Sequence, residues 1–215
     1  MSKKILIFGI GPLAITVFEL IQEINDIEVI GFIVDDEYHN NNNFLNLPLF
    51  KLSLADNNFE IITCIGYKSI RTRHSKFLEL VDKGFRFTNI IHPTAVLCKG
   101  IKMGMNNIIF PQVCVEPNVE IGDNHIIWSQ SLIGHDATIY SHNYISAKVL
   151  VGGNCTIRNR CFLGNATNMI NDLELEDETY LVAGSFLFTD TQESAKYFGN
   201  PARKVSTHKE EGIKI

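Results

Sequence analysis

The chain has 215 residues, 45% hydrophobic and 20% charged, with a formal net charge of −5. This is the composition of an ordinary globular protein with one large or two small domains. The acidic balance without a basic stripe argues against nucleic acid as a partner, and no apolar run nears the roughly 20 residues that cross a bilayer.

Lys4 to Phe8 reads as a buried strand, followed by a glycine turn at Gly9-Ile10-Gly11. Two lysines before apolar residues imitate a signal peptide, but Gly9, Gly11 and Pro12 break the run and no small-x-small cleavage site follows. A cytoplasmic location is expected. Apolar residues at helical spacing from Leu13 to Ile24 predict a helix, and Glu28 to Val34 a second strand ending in Asp35-Asp36. The three form a βαβ unit, hence a parallel sheet. Tyr38 to Asn46, with four consecutive asparagines, reads as a mobile loop. Phe59 to Ile65 predicts another strand. Tyr67 or Ser69 then opens a helix to about Lys83, and Phe85-Arg86-Phe87 leads out.

The period then changes. From Ile91, steps of six give Leu97, Met103, Ile109, Val115, Ile121, Ile127, Ile133, Ile139, Ile145, Val151, Ile157, Leu163, Met169, Leu175, Leu181 and Leu187. Glycine directly follows Met103, Ile121, Ile133, Val151 and Leu163. Repeats this short belong to β-helix solenoids. Each unit supplies a short strand and a turn, and three units close a triangular coil of 18 residues. The aliphatic fills the interior, a small residue two positions earlier points in beside it, and the following glycine or asparagine is expected to tolerate the turn's backbone angles. The fold class is therefore a Rossmann-like βαβ α/β domain (residues 1–88) followed by an all-β left-handed parallel β-helix (89–205). A polar, loose tail (206–215) follows.

Residues 18 apart stack on neighbouring coils, so one column reads Lys99, Pro117, His135, Gly153, Asn171 and Thr189. His135 lies on an outer turn beneath a bare glycine, with Asp136 placed to orient it; the plainer alternative is a solvated turn histidine. His142 follows on the next turn. The other five histidines read as structural or solvated. The Gly9-Ile10-Gly11-Pro12 turn, with Ala14 at the third glycine position, is a weak nucleotide signal. Asp35-Asp36 could accept from a ribose or base, or be a solvated strand end. The five cysteines form no CxxC pair, so neither a metal centre nor a disulfide framework is expected.

The combination resembles the bacterial sugar O-/N-acetyltransferases of the sialic-acid O-acetyltransferase type. That group includes enzymes acting on nucleotide-linked 4-amino sugars in bacillosamine-type pathways. The carriers are Phe8-Gly9-Ile10-Gly11, Ile30 to Asp36, Cys64-Ile65-Gly66 with Arg71, Ile91-His92-Pro93-Thr94-Ala95 and Gly134-His135-Asp136. Leu150-Val151-Gly152-Gly153, Val182-Ala183-Gly184 and Gly199-Asn200-Pro201-Ala202-Arg203 complete them. The likeness spans residues 3 to 205. It implies a homotrimer with acetyl-CoA in the groove between neighbouring β-helices, no metal, and a nucleotide-linked amino sugar as acceptor. It casts His135 as the base and Asp136 as its acidic neighbour. Gly153 would meet the thioester carbonyl and donate its N–H to the oxyanion. Tyr144, Ala183, Gly184 and Pro201 are the further cofactor contacts. The acceptor's nucleotide would lie on Gly9, Gly11, Asp35, Asp36, Ile65 and Gly66.

Two positions depart from the family pattern: Leu13 and Tyr144 stand where relatives often carry histidine. Three other readings compete. An O-acetyltransferase for a sialic-acid-like sugar would share the architecture. A non-catalytic β-helix binding module is of another class; its zinc version needs three neighbouring histidines, which His125, His135 and His142 do not supply. A nucleotide-sugar oxidoreductase is disfavoured by a first domain of about 85 residues.

Overall fold

In the computed structural model the described residues are 2–55, 57–66 and 68–213. Tyr67, one of the two residues expected to open the second helix, lies outside them. Among the described residues no helix is long and apolar enough to cross a membrane.

The first domain follows the expected order, with β1 (Lys3–Phe8), α1 (Pro12–Gln22) and β2 (Ile27–Val34). Pro12 opens α1, where its missing N–H costs nothing. The segment read as a mobile loop instead folds into a hairpin of β3 (Asn43–Phe44) and β4 (Leu47–Lys51), closed by Leu45 and Asn46 at positive φ. Two successive positive φ angles make a turn whose twist suits paired strands. That is why four asparagines in a row did not mean disorder. β5 (Glu60–Thr63), α2 (Ile70–Asp82) and β6 (Arg86–Phe87) complete a sheet of order β3-β4-β2-β1-β5-β6. All its pairings are parallel except β3–β4. Six strands fit into so short a domain because β3 and β6 hold two residues each. Ser69 caps α2, its hydroxyl accepting from Thr72 N–H.

From Ile90 onward, two-residue strands step around three faces, each pairing in parallel with the strand 18 residues on. This stacking fits the left-handed β-helix. Face one runs from Ile90–Ile91 to Tyr180–Leu181, face two from Val96–Leu97 to Phe186–Leu187, and face three from Lys102–Met103 to Glu174–Leu175. The inward aliphatics from Ile109 to Leu187 are nearly all fully buried. So are Asn107, Val113, Ser131, Ala137, Cys155, Thr167 and Ser185 two positions earlier.

The turn chemistry differs from expectation. The left-handed residue lies three positions after each aliphatic from Leu97 to Leu181, not one: Asn106, Gln112, Asn118, Asn124, Gln130, Asp136, His142, Lys148 and their successors to Gly184 all have positive φ. Asparagine and aspartate tolerate this region because their short side chains bond locally. The glycines directly after the aliphatics are required by close approach instead. A Cβ on Gly134, Gly152 or Gly164 would fall 2.5–2.6 Å from a backbone nitrogen of the next coil.

The first domain docks on face one, where Ile90, Ile108, Phe110, Ile126, Tyr144 and Phe162 share an apolar cluster with α1, β1 and β2. Arg73 of α2 is buried there, donating from one terminal nitrogen to the His142 and Asn143 carbonyls, and burial brings its pKa down to about 10. The tail expected to be loose is held instead. Ala195–Gly199 and Ala202–Thr207 form an antiparallel hairpin, Arg71 donates to the carbonyls of Lys209 and Glu210, and Ile213 is buried in the shared cluster. The bonds fall on backbone carbonyls, so the polar side chains that suggested looseness did not reveal them.

Two predictions follow from the coil geometry and the docked face. Gly152→Ala should lower the melting temperature through a backbone clash worth about 1–3 kcal/mol. Ala166→Gly at φ 56 should raise it, since the left-handed penalty of about 1–2 kcal/mol exceeds the roughly 0.5–1 kcal/mol entropy cost of glycine. Thermal unfolding of both variants checks the pair. His125 and His142 are held neutral by burial, their pKa pushed down from 6.5 to about 3. A depressed histidine contributes stability that is whole above its unfolded pKa and is lost as pH falls toward the folded one. Urea midpoints should therefore fall progressively below pH 6.5, and His142→Gln should reduce the proton uptake on unfolding by close to one.

Candidate active site

His135 lies in the turn between Leu132–Ile133 of face two and Thr138–Ile139 of face three. The left-handed Asp136 (φ 60) swings its carboxylate back, so that Oδ2 sits 2.7 Å from His135 Nδ1. Asp136 Oδ1 in turn accepts from Asn118 Nδ2 at 3.0 Å, and the His135 N–H donates to Glu116 Oε2 at 2.8 Å. Hydrogen bonding and charge from Asp136 raise the pKa of His135, and the same bond with that from Asn118 lowers the carboxyl of Asp136. Both side chains are about half exposed.

The other ring nitrogen is as well defined. A Cβ on Gly153 would fall 2.6 Å from His135 Nε2, so the imidazole lies directly against the bare glycine of the next coil. An imidazole fixed at Nδ1 by a carboxylate and open at Nε2 has the arrangement of a general base. One expected role changes here. The Gly153 N–H donates to Asn171 Oδ1 at 3.1 Å and is not a free oxyanion donor. Asn171 lies 18 residues beyond Gly153, on the coil after it, and its side chain takes the amide first.

A cleft of about 540 Å³ opens where the first domain meets face one. Of the expected acceptor contacts it gathers Gly11, Ile65 and Gly66, with Leu13, Lys68, Trp128 and Tyr144. Gly9, Asp35 and Asp36 lie outside its lining. Gly9 adopts φ 116 with its N–H on Ile33. Asp35 binds Lys76 Nζ at 2.8 Å, and Asp36 caps the loop at Ser53, whose hydrogen bonds hold its carboxyl below the usual range.

A second cleft, of about 330 Å³, runs up the corner between faces one and two. Tyr144 and Ala183 line it, as do Trp128, Ser146, Ala147, Phe162, Gly164 and Val182. Gly184, at φ 73, forms the adjoining turn, and Pro201 is exposed in the terminal hairpin. His142 is not near His135: it is buried at another corner, its ring tilted 40° against that of His74 at 4.2 Å and bonded to Asn124 at 2.9 Å. Cys64 and Cys161 are buried with their thiols pushed up, which leaves them inert. Among the described residues no group of three or more metal-ligating side chains comes together.

Sequence reading gave no role to Glu116, Asn118, Asn171 or Trp128, although Asn171 stood in the His135 column. For the first three the signal was available, because each lies about one coil from a residue already singled out. Trp128 follows Phe110 by 18 and stacks on it at 4.0 Å.

No protein-family model and no curated protein sequence matches the chain. Solved structures do. A mutant of GDP-perosamine N-acetyltransferase from Caulobacter crescentus, in complex with CoA and GDP-perosamine, superposes with a TM-score of 0.85 at 22% identity, over 96% of this chain and 98% of that one. The acetyltransferase domain of PglB from Neisseria gonorrhoeae, in complex with acetyl coenzyme A, gives 0.85 at 18% identity, over 95% and 100%. WeeI from Acinetobacter baumannii gives 0.83 at 17%, again over 95% and 100%. At these identities the likeness establishes a shared fold along nearly the whole chain.

The His135–Asp136 geometry makes a spectroscopic prediction. Asp136→Asn should lower the pKa of His135, because the carboxylate is what raises it. A titration followed by the histidine Cε1–H resonance measures the displacement; an unmoved titration would contradict the assigned interaction.

Proposed function

We propose that the protein is an acetyl-CoA-dependent N-acetyltransferase acting on the amine of a nucleotide-linked amino sugar. The observation that carries this is His135, with Nδ1 tied to Asp136 and Nε2 open against Gly153. The fold is shared with a protein solved with CoA and GDP-perosamine and another solved with acetyl coenzyme A. The amine attacks the thioester carbonyl directly. His135 Nε2 takes its proton as the C–N bond forms, and the tetrahedral intermediate expels the coenzyme A thiolate, which recovers the proton from the imidazolium. Base catalysis of this kind contributes roughly 10²–10⁴-fold. Asp136 holds the tautomer and stabilises the imidazolium. None of the three buried thiols takes part.

The acceptor cleft is consistent with this reading. The N-terminus of α1 lies at Gly11, Pro12 and Leu13 with no acidic residue in its first turn, and Lys68 stands beside it. Together they favour a diphosphate there, and the apolar end at Leu13, Trp128 and Tyr144 takes the sugar.

A homotrimer fits the same reading. In a triangular coil the corner between faces two and three is opposite face one, so His135 points away from its own chain's acceptor cleft. A base from one copy therefore serves the cleft of another. Face two suits the contact, because Val96, Leu150, Ile170 and Phe188 along it are 39–59% exposed.

The test is coenzyme A thiol release with a panel of nucleotide-linked amino sugars, run beside light scattering. His135→Ala should lower turnover by roughly 10²–10⁴-fold while the trimer and its melting temperature stay unchanged. Near-normal turnover in that variant would remove the base assignment, and no turnover by the unaltered protein with any amine acceptor would remove the reading.

A further inference from the structure

Trp128 and Tyr144 are the two side chains that line both clefts. Backbone bonds from Phe110 N–H to Ile127, Trp128 N–H to Ile145, Ser146 N–H to Leu163 and Gly164 N–H to Leu181 put residues 110, 128, 146 and 164 in one column. That column forms the bed of the corner groove. One wall is aromatic: Tyr144 stacks on Phe162 at 5.1 Å, and Phe162 meets Tyr180 edge-on at 5.2 Å. The other wall is small, with Ala147, Asn165 and Ala183. The bed between them is low at Ser146 and Gly164 and then rises abruptly at Trp128. Phe110 supports the indole from below, stacked at 4.0 Å with an interplanar angle of 14°. The groove is thus closed at one end by a braced ring, and the acceptor cleft begins on the ring's other side.

We propose that Trp128 is the acyl-length gate: it ends the groove one coil below Ser146, at the junction with the acceptor cleft, and so limits the transferred group to a short acyl chain. This rests on the acyl-transfer reading above. With the thioester arm lying along Ala183, Gly164 and Ser146, the acyl end points down the column toward the indole. The step from Ser146 to Trp128 is one coil, about 4.8 Å, which suits a two-carbon group above the indole. Each added methylene runs into a ring that cannot drop, because Phe110 fills the position beneath. Removing the ring opens one further coil of groove, about 4.8 Å.

Calorimetry on the intact protein with CoA, acetyl-CoA, butanoyl-CoA and hexanoyl-CoA tests the gate, with thiol release from each thioester measured in parallel. The unaltered protein should bind hexanoyl-CoA roughly ten- to hundredfold more weakly than acetyl-CoA. Trp128→Ala should bring the two affinities within about threefold, a binding readout that does not depend on the contact of Trp128 with the sugar. Trp128→Phe keeps a ring on Phe110 and should keep most of the discrimination. Trp128→Ala that folds, binds acetyl-CoA and retains the original length preference would overturn the gate alone. Equal affinity for all chain lengths in the unaltered protein would do the same. No binding of any thioester would remove the acyl-transfer reading, and the gate with it.

Discussion

The structure depends on coils approaching one another to hydrogen-bonding distance at every turn. The backbone bonds from Gly134 N–H to Val151 and from Gly164 N–H to Leu181 leave no room for side chains at the tightest places. Everything else is arranged around that spacing. Aliphatics point in because the prism has no other filling. Residues that bend the chain are moved to a separate position, where asparagine, aspartate and glutamine accept the left-handed angles. Those bending residues then bond upward from coil to coil, as Asn118 does to Asp136 and Asn154 to Asp172. The candidate base borrows this structural ladder. Asp136 is first a corner residue, and its carboxylate is where it is because the corner turns there.

The same economy explains why one glycine serves His135. At Gly134 and Gly152 the absent side chain makes way for backbone. At Gly153 it makes way for an imidazole. A repeat that already uses glycine to let chains approach needs only one more beside it to seat a functional ring.

Much of the second domain was legible in the sequence because its register is a constant. Adding 18 to a residue number places a neighbour, and that arithmetic set His135 against Gly153. It did not place the left-handed position, since a glycine after each aliphatic suggests a bend when its real reason is crowding. It set Asn171 in the same column but could not show that its side chain satisfies the Gly153 amide. The first domain has no such constant. Its cleft brings Leu13 and Ile65 to Trp128 and Tyr144 through loops whose path spacing does not determine, and Asp35 and Asp36, attractive as ribose acceptors, satisfy Lys76 and Ser53 instead. The β3–β4 hairpin was hidden by a turn built on Leu45 and Asn46 without glycine.

The end of the chain is not an appendage. Arg71 joins Glu178 on the last coils and the carbonyls of Lys209 and Glu210 in a single grip, while the next residue, Thr72, lines the acceptor cleft. The helix that walls the cleft is thus bolted both to the last coils and to the segment that follows the terminal hairpin. A change at residues 209–210 is therefore felt in the wall of the cleft, although they stand 138 and 139 positions from the arginine that holds them.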